Sequence, residues 1–126
     1  MAIILLVDND PLQAFLRKSL LERRFSDVQR VGDAIEALCL IEQPEYARNL
    51  ALVISSHHIS GITGPDFVAE LRSRMPALPI MVLGNDSDAE ADYDVVGVRY
   101  LRKPIESNEM LALASQMLAC HELKTA

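Results

Sequence analysis

Short, unbroken apolar runs alternate along this chain with stretches whose apolar residues recur three or four positions apart. Ala2 to Val7 is apolar throughout, as expected of a strand buried on both faces of a parallel sheet. Asp10-Pro11 then opens a helix, because aspartate is a good N-cap and proline suits the first helical position. Leu12, Phe15, Leu16, Leu20 and Leu21 give that helix one apolar face, which predicts that this face packs inward. Val28 to Val31 reads as a second strand. Gly32-Asp33 leads into a helix with Ile35, Leu38, Cys39 and Ile41 inward, stopped at Pro44. Leu50 to Ser55 is the third strand. Gly64-Pro65-Asp66 starts a helix with Phe67, Val68 and Leu71 on its apolar side, ended by Pro76. Pro79 to Leu83 and Val98 to Leu101 are the fourth and fifth strands, separated by a strongly acidic helix or loop over Asp86 to Val95. The last helix runs from Glu106 to Ala119 and buries Met110, Leu111, Leu113, Ala114, Met117 and Leu118.

Strands alternating with helices pair in parallel through right-handed crossovers. The economical arrangement is an α/β, flavodoxin-like (βα)5 fold, a doubly wound five-stranded parallel sheet in the order 2-1-3-4-5. Such sheets bind ligands at the carboxyl ends of strands 1 and 3, where the winding reverses. Asp8-Asn9-Asp10 and Ser56-His57-His58 stand at those two ends. Residues 1–120 are expected to form one domain, with 121–126 as a tail or truncated linker.

Composition narrows the possibilities. Half the residues are hydrophobic and 5% aromatic, so the core is mainly aliphatic. The net charge of -6 argues against a nucleic-acid surface, which needs basic patches to displace counterions. Cys39 and Cys120 lack metal-type spacing and predict no disulfide; Cys39 falls in the helical apolar pattern as a small core residue. The N-terminal apolar run is too short to span a membrane. These features together predict a soluble, cytoplasmic protein without membrane contact.

Four segments in order carry a more specific signal: Leu6-Val7-Asp8-Asn9-Asp10-Pro11, Ser55-Ser56-His57-His58-Ile59-Ser60-Gly61-Ile62-Thr63-Gly64-Pro65, Pro79-Ile80-Met81-Val82-Leu83-Gly84 and Tyr100-Leu101-Arg102-Lys103-Pro104. Each follows or ends its expected strand. In this set the chain resembles the receiver domain of two-component response regulators over about residues 2 to 119. The resemblance implies two acids after strand 1 that hold magnesium, a phosphoryl-accepting aspartate after strand 3, a hydroxyl after strand 4, a lysine before a proline after strand 5, and an aromatic in strand 5 that reports the state. Carried over residue by residue, the first acid is Asp8, and the second position holds the neutral Asn9, followed by Asp10. The acceptor position is Ser56. The hydroxyl position is Gly84. Lys103, with Pro104 behind it, and Tyr100 are kept.

These departures bear on chemistry. The acceptor must be a carboxylate nucleophile with a divalent cation beside it, and magnesium prefers carboxylates and waters. With Asn9 and Ser56 in place, at most weak magnesium binding at Asp8 is expected, and no other cofactor. An Asp8–Lys103 ion pair is expected to fill the corner. Restoring both carboxylates at positions 9 and 56 is expected to restore magnesium binding. His57 and His58 read first as polar loop residues rather than as metal ligands. Asp86, Asp88, Glu90, Asp92 and Asp94 read first as a solvated face, although the stretch from Gly84 to Lys103 is short for the family.

The implied function is an atypical receiver in phosphorelay signal transduction that is not an enzyme and acts through protein contacts. Its partner would be a signalling protein or a covalently linked output domain. A homodimer through the acidic segment, fifth strand and last helix is a further expectation, with Tyr100 as anchor. Two alternatives stand beside this: phosphorylation at a non-standard residue such as Asp8 or Asp10, or a flavodoxin-like enzyme or nucleotide binder. Against the second, no Gly-rich phosphate loop follows strand 1.

Overall fold

A computed structural model describes the backbone of residues 2–85, 87–95 and 97–125. Asp86 and the side chain of Asp88, two acids of the expected charged segment, lie outside the described parts. The elements run β1 (Ile3–Val7), α1 (Pro11–Leu21), β2 (Val28–Val31), α2 (Ala34–Ile41), α3 (Pro44–Asn49), β3 (Leu50–Ser56), α4 (Gly64–Arg74), β4 (Ile80–Gly84), a 3-10 helix (Ser87–Tyr93), β5 (Val98–Arg102) and α5 (Ser107–Thr125). All four strand pairings are parallel, and the order is β2-β1-β3-β4-β5. This is the doubly wound sheet that the alternation of apolar runs predicts.

The pleat divides the core into two halves. Ile3, Leu5, Val7, Val53 and Val82 meet Ala37, Leu38, Phe67 and Leu71 of α2 and α4 on one face. Ile4, Leu6, Leu52, Ile54 and Met81 meet Ala14 and Leu21 of α1 and Met110, Ala114 and Met117 of α5 on the other. Side chains alternate across a strand, so contiguous apolar runs serve both faces at once.

Helix starts follow local chemistry. The Asp10 carboxylate accepts from the backbone N–H groups of Leu12 and Gln13, at 3.0 and 3.3 Å. Asp33 accepts from Glu36 N at 2.7 Å, and Thr63 from Asp66 N at 3.2 Å. Each cap satisfies a donor that the first helical turn leaves without a partner.

Four expectations need correction. Leu12, Phe15 and Leu16 do not face inward; all three are more than half exposed, and α1 packs through Ala14 and Leu21. Small Ala14 lets the helix approach the sheet closely, and the i, i+3, i+7 stripe it starts also contains Arg17. Ile35 and Cys39 are exposed, while Ala34, Ala37, Leu38 and Ile41 carry the inner face of α2. Pro44 does not simply stop a helix: α2 ends at Ile41, and Pro44 opens α3, the first-turn position proline favours. Finally, α5 continues past Ala119 to Thr125. No described helix is long and apolar enough to cross a membrane.

Candidate functional site

Asp8 immediately follows the last residue of β1 and is 3% exposed. A buried carboxylate requires compensation. Arg17 supplies it: its Nη1 donates to Asp8 Oδ2 at 2.7 Å, with side chains 12% and 4% exposed. Asp8 Oδ1 accepts from the backbone N–H of Asp10 at 3.0 Å. The Asp8 carbonyl accepts from Arg30 Nε and Nη2 of β2, at 3.1 and 2.7 Å. Two guanidinium groups from different elements therefore converge on one residue. The expected Asp8–Lys103 contact is replaced by Asp8–Arg17. The reason is helical: Arg17 lies on the same inward stripe as Ala14 and Leu21, which aims it at the end of β1.

Lys103 turns instead to Ser56. Ser56 is the last residue of β3 and is 3% exposed. Lys103 Nζ donates to its Oγ at 3.4 Å, a long bond. The backbone N–H of Lys103 donates to Gly84 O at 2.7 Å, which fixes the end of β5 against β4. The peptide bond to Pro104 is cis. Burial, and then the nearby positive charge of Arg17, pull the Lys103 pKa below its ordinary value; Asp8 and Asp10 act in the opposite direction. Asn9 points elsewhere, its Nδ2 donating to Ser60 Oγ at 3.2 Å.

The family position for magnesium would draw on Asp8, on the residue after it and on the end of β3. These residues do not fit the ion. Both Asp8 oxygens are engaged, Asp10 Oδ1 caps α1, Asn9 is tied to Ser60, and Ser56 offers a hydroxyl already bonded to a cation. Among the described residues no group of three acids, histidines or cysteines is placed to hold a metal.

Beyond the corner stands an aromatic cluster that the sequence reading missed in part. The His57 Nδ1 and the Tyr93 hydroxyl are hydrogen-bonded at 2.6 Å, and their rings meet edge to face. His57 and His58 also meet edge to face, with ring centres 4.7 Å apart. Tyr93 stacks on Tyr100, ring centres 5.6 Å apart and planes 25° apart. Two glycines admit these rings. A Cβ on Gly84 would overlap the Tyr100 hydroxyl, and a Cβ on Gly64 would overlap that of Tyr93. The missing hydroxyl at position 84 is thus matched by a tyrosine seated over the same spot. Tyr100 packs with the α2–α4 half of the core, not against the last helix as an edge-strand aromatic would.

Burial, followed by the charges around it, raises the Tyr93 pKa well above the ordinary tyrosine value; burial followed by Asp27 raises Tyr46 to about 12. The sign follows directly. Below pH 10 folded and unfolded chains both hold these protons, and the contribution is fully present. As pH rises through 10 toward 12, the unfolded chain releases them first, so stability falls. The ultraviolet phenolate titration of the chain's three tyrosines is therefore expected to leave Tyr46 and Tyr93 protonated past pH 10 and to release them in the same step that abolishes the far-ultraviolet helix signal. Independent release of all three at pH 10 in a folded chain would contradict this arrangement.

Three contributors escaped the sequence reading: Arg17, Arg30 and Tyr93. Arg17 had a signal, since it lies seven residues after Asp10 on the helix that Asp10 caps. Tyr93 sits within the acidic segment, whose charge hid it. The described acids of that segment are solvated as expected: Asp92 and Asp94 are exposed, and Glu90 meets the exposed Arg102 at 3.7 Å.

Comparison with known proteins agrees with the fold. The response regulator receiver domain family matches residues 4–115, and the chain belongs to that family. It is therefore a receiver domain of two-component signal transduction. Its fold superposes on the signal receiver domain of an HD domain-containing protein from Pseudomonas fluorescens with a TM-score of 0.86, at 28% identity, covering 98% of this chain and 91% of that one. A CheY-like receiver domain from Methanospirillum hungatei shares the fold at a TM-score of 0.87 and 19% identity, with 98% of each chain covered. A curated relative from Pyropia yezoensis, named "Probable transcriptional regulator ycf29", is 29% identical over 98% of this chain. The chain spans about half of that relative, 56% of its length.

Proposed function

We propose that this receiver domain signals in one conformational state, through contacts with another protein, without an aspartyl phosphate. The observation that carries the reading is the buried Ser56 hydroxyl bonded to Lys103 at the end of β3, where the family places its acceptor carboxylate. Ser56 accepts a hydrogen bond from Lys103, and a hydroxyl that keeps its proton is a poor nucleophile. Asp8 is bonded to Arg17 and Asp10 caps α1 through Oδ1, which disfavours either as a substitute acceptor. Gly84 offers no hydroxyl to answer a phosphoryl group, and Tyr100 is packed over it. On this reading the domain is cytoplasmic, catalyses nothing and needs no cofactor.

The partner would be a signalling protein or an output domain in a longer chain. Tyr100 suits a partner-facing anchor less well than the sequence implied, because its ring is stacked on Tyr93. Exposed apolar side chains are concentrated on α1, at Leu12, Phe15 and Leu16, with Ile35 on α2 and Val95 also exposed. Dimerisation through the 3-10 segment, β5 and α5 remains the other route, and hydrogen exchange on the complex separates the two by which amides gain protection.

The defining test is intact-mass measurement after treatment with acetyl phosphate and magnesium. The expected result is no added phosphoryl group on the chain or on Ser56→Ala. A stoichiometric, hydroxylamine-sensitive gain that persists in Ser56→Ala would identify a carboxylate acceptor and sink the reading.

A further inference from the structure

We infer that the Arg17 guanidinium is the resident cation of this corner: it occupies the electrostatic role that magnesium fills in the family, and its presence, beyond the lost carboxylates, keeps the metal out. The inference shares its site with the proposed function but is tested separately from it.

Four observations carry it. Arg17 Nη1 sits 2.7 Å from Asp8 Oδ2, the one family metal ligand that this chain keeps. The pair is shielded, with side chains 12% and 4% exposed, so its attraction is screened less than that of a surface ion pair. The second carboxylate oxygen is held by a backbone N–H, and Arg30 holds the Asp8 carbonyl, which leaves the whole residue oriented toward protein donors. Lys103 adds a second positive group to the same corner, its Nζ 3.4 Å from Ser56 Oγ. An arriving divalent cation would have to displace a bonded guanidinium and then face two positive side chains.

A direct consequence concerns rescue. Restoring carboxylates with Asn9→Asp and Ser56→Asp was the remedy that the sequence suggested. With Arg17 in place, those two substitutions add anions to a corner whose central ligand is already taken. The added acids should pair with Arg17 and Lys103 and recruit metal only weakly.

The test titrates magnesium by calorimetry, and manganese by paramagnetic broadening of the Asp8, Asn9 and Lys103 amides, into the full chain and three variants. The native chain is expected to show no saturable binding. The double variant Asn9→Asp/Ser56→Asp should bind weakly. Adding Arg17→Gln should tighten binding by about tenfold or more, the scale on which groups bonded to a metal ligand act. Adding Arg17→Lys, which keeps the charge, should not. Should the glutamine variant fail to fold, Arg17→Met keeps the aliphatic stem and removes the charge. The inference is overturned if the double variant binds as tightly as the triple, if the triple binds no metal, or if the native chain binds magnesium saturably. A chain that accepts no phosphoryl group but fails this titration would leave the proposed function standing and remove Arg17 from its explanation.

Discussion

Arg17→Gln should lower the stability of the domain by about 3 kcal/mol, and Asp8→Asn should cost less, about 2 kcal/mol. Both break one buried ion pair, and the asymmetry comes from what each leaves behind. Without Arg17, the Asp8 carboxylate stays fixed at the end of β1, 3% exposed, with one backbone N–H as its remaining partner. It cannot move to water without pulling β1 from the sheet. Without Asp8, the Arg17 side chain retains an outlet, because it lines a groove of about 790 Å³ with Gln13, Lys103 and Ser107 and can turn its charge there. The sign is itself diagnostic. In a corner of crowded, uncompensated carboxylates, removing one relieves repulsion and stabilises the fold. Here the same substitution removes the partner of a buried cation. Urea denaturation of the two variants measures both values, and a gain of stability in Asp8→Asn would mean that Arg17 does not hold this carboxylate in solution.

That pair also marks the border between what the sequence disclosed and what it hid. The strand ends were legible because a parallel sheet announces itself in contiguous apolar runs, and because the polar residues that end each run follow directly in sequence. Asp8, Ser56, Gly84 and Lys103 were found in this way, and the structure brings them to one edge. The facing of α1 was not legible. Its widest apolar arc, Leu12, Phe15 and Leu16, invited an inward assignment. The rule behind that assignment runs one way only, since apolar side chains also cover much of a folded surface. What turns the helix is a small residue at the contact, Ala14, and a cation seven residues past the N-cap that a buried carboxylate requires. The exchange of Asp8 partners, Arg17 for Lys103, has the same origin. Pairing between elements depends on helix rotation, and the local pattern does not encode rotation where two candidate faces compete. Cys39 and Ile35 illustrate this again on α2, where alanines occupy the inner stripe and larger residues the outer one.

Gly84→Thr would return to β4 the hydroxyl that the family uses, and it is expected to destabilise this chain by about 2 kcal/mol, the cost of forcing an extra group into a packed core. The cause lies in one contact. A Cβ at position 84 overlaps the Tyr100 hydroxyl and crowds its ring carbon at 2.9 Å and the His57 Cβ at 3.1 Å. The hydroxyl and ring of Tyr100 cannot retreat cheaply, because Tyr93 is stacked on it and is itself bonded to His57 and seated over Gly64. Threonine must therefore evict Tyr100, and the stack opens. Tyr100→Ala empties the same space, so the double variant Gly84→Thr/Tyr100→Ala should be less destabilised than the two single costs summed, by about 1 kcal/mol or more. The chain has no tryptophan, so near-ultraviolet circular dichroism reports on tyrosine packing without interference and should change in Gly84→Thr. The coupling has a functional meaning. If position 84 and Tyr100 are energetically one unit, a phosphate-responsive hydroxyl cannot be restored without dismantling the aromatic cluster, and the single state of the domain is built into its packing. Strict additivity in the cycle, with an unperturbed tyrosine spectrum in Gly84→Thr, would show instead that Tyr100 leaves its seat freely and that the lock does not exist.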